Sequence, residues 1–284
     1  MPQDTPDPET LSRLEQTPMP WEPVAQDRAG RDILPRLPEG ESLSVVFPAY
    51  NDAHTIGALV DWSAKILARV ASDYEIIVVN DGSLDETAAV LASRQEKYPF
   101  LRVVSHEKNG GYGTALRSGF EAASKTYLFY TDGDGQYDPT ELVLLLPQMI
   151  EGVGMVNGYK LKRGDSWVRV VVGRTYHWTA KLLFGLPVRD IDCDFRLMRL
   201  SVLRSLTLTS SSGSICTELV FEVKNSKMQI VEAPVHHYPR VSGASQFFKP
   251  TKILASLGKL LALWRKLILW RFGGRVLRAL GLRK

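Results

Sequence analysis

From Ser44 onward the chain alternates short β-branched or aromatic runs with longer stretches of helical periodicity. That alternation limits the fold to an α/β class, a mostly parallel Rossmann-like sheet flanked by helices. Strands are expected at Ser44–Phe47, Tyr74–Asn80, Leu101–Ser105, Tyr127–Thr131 and Met155–Gly158, each a compact apolar run closed by polar or turn residues. Ser83-Leu84-Asp85-Glu86 has the spacing of a capping box, which predicts a helix starting directly after the second strand and running to Lys97. Gly110–Ala123 and Pro139–Ile150 give two further helices. Beyond Tyr159 the alternation weakens; a long helix over Trp167–Phe184 and a strand over Gln229–Val235 are the expectations there. No repeat of about 20 to 50 residues is present, which excludes a solenoid or propeller.

The two flanks differ from this body. Residues 1–42 hold eight of the sixteen prolines and nine acidic residues, so little apolar surface is available to offset chain ordering, and a flexible arm is expected. Trp21, Ile33 and Leu34 are the points at which it could dock. Residues 43–249 form the α/β domain. Residues 251–284 carry nine Lys or Arg and no acid, so the formal net charge of +4 is local to this end. Lys252, Lys259 and Lys266 recur at heptad spacing beside Leu254, Leu257, Leu260, Leu261, Trp264, Leu267 and Ile268, with Arg265, Arg271, Arg275 and Arg278 among them. Residues 250–284 thus read as an amphipathic helix for an anionic membrane surface, the alternative being packing on the body or on a second copy.

Composition narrows the remaining classes. Two cysteines, Cys193 and Cys216, without paired spacing fit a reducing, cytoplasmic setting and neither a disulfide framework nor a zinc site. The histidines, His177, His236 and His237 among them, lack metal spacing. No leader and no uncharged run of about 18 residues is expected to span a membrane. The basic end has no helix-turn-helix pattern or aromatic RNA-binding motif beside it, so nucleic acid is not an expected partner.

Ligands of open α/β sheets bind beyond the carboxyl ends of the strands. Those positions are acidic here: Pro48-Ala49-Tyr50-Asn51-Asp52 after the first strand, Asn80-Asp81-Gly82-Ser83 after the second, and Asp132-Gly133-Asp134-Gly135-Gln136 after the fourth. Asp132 and Asp134, one residue apart in a glycine turn, can approach one hard cation, for which oxygen ligands favour Mg2+ or Mn2+. An isolated D-x-D is more often an ordinary surface turn; its alignment with Asp52 and Asp81 on one edge reverses that and favours a site. Asn109-Gly110-Gly111-Tyr112-Gly113 could present backbone N–H groups to a diphosphate, or could serve only close helix packing.

With these motifs in this order, joined by Asp190-Ile191-Asp192-Cys193-Asp194-Phe195-Arg196 and the stretch from Arg240 to Ser245, the chain resembles the family 2 glycosyltransferases of the A-type fold. The resemblance covers about Ser44 to Lys249 and points to the dolichol-phosphate mannose synthase-like branch, which glycosylates polyprenyl phosphates. It implies an inverting hexosyltransferase that takes a GDP- or UDP-sugar, with Pro48, Tyr50, Asp52, Asp81 and Gly111 at the nucleotide. Asp132 and Asp134 match the metal pair, with Gln136 completing the shell. Two departures stand out: Asp52 replaces the usual Glu, and Cys193-Asp194 replaces Ser-Gly in the acceptor stretch.

Transfer builds negative charge on the departing diphosphate, which the metal offsets. A hydroxyl acceptor in a saccharide would need a carboxylate base, for which Asp190, Asp192 and Asp194 are candidates. A phosphate monoester, with a second pKa of about 6, needs cations instead. Arg163, Arg174 and Arg240, with Ser245, are the expected acceptor-phosphate ligands, and Arg196 is placed with Asp132, Asp134, Asp192 and Asp194 in the catalytic group. The expected partners are therefore a nucleotide sugar, a polyprenyl phosphate and the inner face of a membrane, with an oligomer possible. The alternative of another class is a non-catalytic scaffold that binds nucleotide sugars.

Overall fold

The computed structural model describes residues 10, 14, 18–21, 34–161, 178–241 and 258–269. Seven strands form one sheet: β1 (Ser42–Ala49), β2 (Asp73–Asn80), β3 (Leu101–Ser105), β4 (Tyr127–Thr131), β5 (Val153–Lys160), β6 (Phe195–Arg199) and β7 (Gln229–Val235). Their order is β3-β2-β1-β4-β6-β5-β7. All neighbours pair parallel except β6, which runs antiparallel to both β4 and β5.

The five strands expected first are present, as is the one at Gln229–Val235; the inner strands β1, β2, β4 and β5 are largely buried on both sheet faces and so read as continuous apolar runs, whereas β3 and β7 are the partly exposed edges. Within β1, Val45 and Phe47 enter one core cluster and Val46 the other. The first cluster lies under α1 (Ile56–Val70) and α2 (Thr87–Lys97); the second lies under α3 (Tyr112–Ala122) and, later in the chain, α6 (Ser214–Asn225).

Three local expectations are corrected. The helix after β2 begins at Thr87, not at Ser83: Asp85 Oδ1 accepts from the Thr87 N–H at 3.0 Å, while Ser83 Oγ accepts from the Asn51 N–H at 3.0 Å. The first helical N–H is thus held by Asp85, one residue ahead of the N-cap position Glu86, and Ser83 ties the β1 and β2 loops together. The stretch expected as one helix over Pro139–Ile150 is three short turns, Pro139–Glu141, α4 (Leu142–Leu145) and Leu146–Gln148. Pro147 has no N–H to continue a ladder. Strand β6, followed by α5 (Leu200–Ser205), was not foreseen.

Of the helix expected over Trp167–Phe184, residues 178–184 are helical and the earlier part lies outside the described residues. In the N-terminal flank Trp21 is buried, its ring edge-on to Trp62 at 6.3 Å and its Nε1–H donating to the Gly135 carbonyl at 3.1 Å. Residues 258–264 are helical and continue into a π-helical turn at Arg265–Leu269. Leu260, Leu263 and Leu267 of this segment are buried in the second cluster. Among the described residues no helix is long and apolar enough to cross a membrane.

Candidate active site

The reversed direction of β6 builds the site. Its first residue, Phe195, pairs with Thr131, the last residue of β4. The residue preceding β6 therefore leaves the sheet beside the residue following β4, which sets Asp194 next to Asp132. The Asp132–Gln136 turn is clamped from several sides. Thr55 Oγ1 donates to the Gly133 carbonyl at 2.6 Å, Gln136 Nε2 donates to the Tyr238 carbonyl at 3.1 Å, and the Gln136 N–H donates to Asp134 Oδ1 at 3.1 Å. A Cβ at position 133 would stand 2.6 Å from the Pro48 carbonyl oxygen, so only glycine lets the turn lie this close to the end of β1.

The electrostatics are those of crowded carboxylates. Burial, then the negative charges of Asp194 and Asp134, push Asp132 well above the usual carboxylate range. Burial also raises Asp134, against the pull of the Arg240 guanidinium. Asp52 is pushed up to about 7 by burial, with the charge of Asp134 adding to it and the Tyr50 N–H and Arg240 opposing. Among the described residues, Lys160, at the end of β5, and Arg240, beyond β7, face Asp132 and Asp134, and Arg196 lies 3.6 Å behind Asp194. Arg240 donates to Asp134 Oδ2 and to Gln136 Oε1 at 3.2 Å; Lys160 Nζ donates to the Asp192 carbonyl at 2.8 Å. Asp194 Oδ1 accepts from the Cys216 thiol at 2.9 Å and from the Tyr130 hydroxyl at 3.3 Å.

The glycine turn is held differently from the way its sequence reads. Asp81 accepts the N–H groups of Gly110 at 2.9 Å and Gly111 at 3.0 Å, and lies 2.6 Å from His106 Nδ1, whose other ring nitrogen is 2.9 Å from Ser118 Oγ. The donors imagined for a diphosphate are thus occupied by Asp81. Gly111, at a φ of +90°, and Gly113 lie against the carbonyls of Ser211 and Ser210, where a Cβ would come within 2.5 Å and 2.4 Å. Glu218, buried on α6, fixes that partner loop by accepting from the Thr209 N–H, the Thr209 hydroxyl and the Ser210 N–H. The turn's contribution to the pocket is Tyr112, whose hydroxyl donates to Asp132 Oδ1 at 2.7 Å.

The structure therefore brings Asp52, Asp132, Asp134, Gln136, Asp194 and Arg240 together. Tyr50 sits at the rim, about a third exposed at 36 %. Pro48 is buried behind it. Asp192 is half-buried, with its N–H held by Asp190 Oδ1 at 3.2 Å. Arg196 is not on the pocket surface: it is fully buried and donates to Asn157 Oδ1, the Tyr130 hydroxyl and the Ile191 carbonyl, behind Asp194. Arg163, Arg174 and Ser245 lie outside the described residues. Tyr112, Tyr130 and Cys216 were not singled out as functional residues; the one signal available was an aromatic residue inside a glycine turn.

Two carboxylates raised chiefly by burial in a low-dielectric recess, with the charge of Asp194 adding to it, fit a hard divalent cation. Among the described residues no cluster of three or more His, Cys, Asp or Glu could by itself hold a metal ion. A magnesium-type site commonly takes one or two carboxylates and fills its shell with water and substrate phosphate.

A mostly parallel sheet with its acidic turn at the carboxyl edge defines an A-type glycosyltransferase architecture, and solved structures similar to it have that fold. Glucosyl-3-phosphoglycerate synthase from Mycobacterium tuberculosis, in complex with phosphoglyceric acid, superposes with a TM-score of 0.61 at 21 % identity, over 78 % of this chain and 80 % of that one. The same enzyme in complex with Mn2+, uridine diphosphate and glucosyl-3-phosphoglycerate gives 0.59 at 21 % identity, over 86 % and 82 %.

The chain belongs to glycosyl transferase family 2, whose model matches residues 44–207. Undecaprenyl-phosphate 4-deoxy-4-formamido-L-arabinose transferases from Enterobacter sp. (strain 638) and Edwardsiella ictaluri (strain 93-146) are each 27 % identical over 207 residues, 72 % of this chain. The chain spans 62 % of the length of these relatives.

Proposed function

We propose that this protein transfers a hexose, with inversion, from a GDP- or UDP-sugar to a polyprenyl phosphate at the cytoplasmic face of a membrane, in a metal-dependent reaction. The observation that carries the reading is the juxtaposition of Asp132, Asp134 and Asp194 at the carboxyl edge of the sheet, with Arg240 reaching in from beyond β7. The relatives named for transfer to undecaprenyl phosphate support the acceptor class, and the neighbour holding Mn2+ and uridine diphosphate supports the donor and the metal.

In this reading Asp132 and Asp134 hold Mg2+ or Mn2+, with Gln136 beside them, and the metal when bound offsets charge on the departing diphosphate. Tyr112 fixes the rotamer of Asp132 through its 2.7 Å hydrogen bond. Tyr50 at the rim and Asp52 beneath it receive the nucleoside, and Asp81 keeps the neighbouring glycine turn in shape. Lys160 and Arg240 supply positive charge for the acceptor phosphate, together with Arg163, Arg174 and Ser245 of the segments outside the described residues. A phosphate oxyanion needs no protein base, so no carboxylate has to take a proton from the acceptor. Residues 43–249 act as the catalytic domain, residues 1–42 as its arm, and residues 250–284 carry it to the membrane.

Asp194 favours a second reading, in which the acceptor is a saccharide hydroxyl and this carboxylate takes its proton. The deciding experiment is a panel of GDP- and UDP-hexoses with Mn2+ or Mg2+, offered either a short-chain prenyl phosphate or oligosaccharides. Turnover with prenyl phosphate is expected; turnover only with saccharides would replace the first reading by the second, and none with any pair would sink both.

A further inference from the structure

The described part of the basic tail does not offer its main apolar face to anything outside the protein. Leu260, Leu263 and Leu267 are buried, and Trp264 Nε1–H donates to the Leu183 carbonyl at 2.9 Å, so residues 258–268 lie against the helix at 178–184. What these two helices leave outward is a different set. Leu182 is 85 % exposed, Trp178 65 % and Leu261 51 %. Lone exposed apolar residues are ordinary on a soluble surface. Here a Trp and two Leu project from two helices bonded to each other, and residues 178–184 and 258–268 include Lys181, Lys259, Arg265 and Lys266 but no Asp or Glu.

Both helices also touch the walls of the site. Residues 185–189 lead from the first helix directly into Asp190–Asp194. Lys266 Nζ, on the second, donates to Thr209 Oγ1 at 2.6 Å, in the loop that backs Gly111 and Gly113.

We propose that Trp178, Leu182 and Leu261, framed by Lys181, Lys259 and Arg265, form a composite face that inserts into the interfacial region of an anionic lipid bilayer. Trp and Leu suit the boundary between headgroups and chains, and each basic residue near an anionic surface adds about 1 kcal/mol, roughly a 5-fold gain in partitioning. The inference rests on the lipid-phosphate reading above and adds to it where the bilayer lies: on the side of the Asp194 loop, so that a lipid-borne phosphate reaches the carboxylates without leaving the membrane surface.

The test is co-sedimentation of the full chain with vesicles of phosphatidylcholine, alone or mixed with phosphatidylglycerol. Binding to the mixed vesicles is expected, together with quenching of tryptophan emission by brominated lipid that shrinks in Trp178→Phe. The double substitution Leu182→Glu with Leu261→Glu should lower partitioning at least about 10-fold, since two apolar groups are lost and two like charges face the headgroups. Lys259→Glu with Arg265→Glu should weaken binding to mixed vesicles and leave phosphatidylcholine binding unchanged. Turnover on a water-soluble short-chain prenyl phosphate should be that of the wild type in both. That arm separates the two ideas: its failure in the wild type overturns the acceptor reading, whereas unchanged sedimentation of the Leu182→Glu, Leu261→Glu variant overturns the face. A wild type that dimerises, and becomes monomeric in that variant with no lipid binding in either, would give the face to a second copy instead.

Discussion

Replacing Arg196 by Met tests whether this residue supports the site from behind or acts within it. The guanidinium is fully buried and its donors are matched to Asn157 Oδ1 at 2.7 Å, the Ile191 carbonyl at 2.6 Å and the Tyr130 hydroxyl, with Asp194 Oδ1 at 3.6 Å. Burial alone would lower its pKa, but Tyr130 and Asp194 reverse that, and it stays above the normal arginine range. Met fills part of the space and satisfies none of the three acceptors, while Asp194 keeps its charge without the nearest cation. Breaking such a buried network costs about 3–5 kcal/mol, a large part of a total stability of roughly 5–15 kcal/mol. With a urea dependence of about 3 kcal/mol per molar, the unfolding midpoint should fall by about 1–2 M. Arg196→Lys, which keeps the charge but not the planar fork, should lie between the two. Urea titration followed by circular dichroism gives the numbers, and Mn2+ binding below the transition shows whether the folded fraction retains its site. A midpoint equal to the wild type combined with abolished turnover would refute the argument, because the guanidinium would then be acting on substrate.

Asp134→Asn removes one of the two carboxylates assigned to the cation; turnover should drop roughly 10²–10³-fold, and the Mn2+ spin-resonance signal of free ion should rise to match. Tyr112→Phe deletes the hydrogen bond to Asp132 and should weaken Mn2+ about 10-fold with little change in the unfolding midpoint; unaltered metal affinity would remove Tyr112 from the site. Asp52, whose pKa moves from an ordinary 3.8 to about 7 on folding, makes the folded state hold a proton that the unfolded chain has lost over that interval. Without metal, stability from this group is complete at low pH and is lost as pH rises through about 7, in the same direction as Asp138 near 6. Asp52→Asn should therefore gain in melting temperature over the wild type progressively between pH 4 and 7 and hold that gain above; a pH-independent difference would contradict the assigned shift.

What the sequence displayed well was whatever is encoded in continuous runs. The inner parallel strands are largely buried on both faces, so their apolar stretches stand out, and strand ends are where acidic turns acquire meaning. Capping was misread because two side chains within three residues can serve, and Asp85 reaches the Thr87 N–H while Ser83 is engaged by Asn51. The role of Arg196 was hidden for a related reason: an arginine inside an acidic motif reads as part of the catalytic group, and only the structure shows Asn157, Tyr130 and Ile191 enclosing it. The same holds for the tail, where one amphipathic stripe fits lipid and protein alike, and the Trp264 bond to Leu183 identifies which face is inside.

Strand β6 shows why the acceptor side of the pocket was harder to read than the donor side. Its sequence, Phe195-Arg196-Leu197-Met198-Arg199, carries two arginines in five residues and looks like the end of a loop. The first of these is buried by side-chain partners, and the second donates to the Val153 and Ile150 carbonyls at 2.9 Å and 3.0 Å, so both charges are absorbed by contacts far away in sequence. Yet the register of this strand decides the chemistry. With Phe195 opposite Thr131, Asp194 falls beside Asp132. A slip of one residue would send alternate side chains to the opposite face of the sheet, taking Arg196 away from Asn157, Tyr130 and Ile191 and carrying Asp194 away from the carboxylate turn. The burial of Arg196 and the placement of Asp194 are thus one structural event, and the acidic residue that distinguishes this pocket depends for its position on the basic residue two places after it.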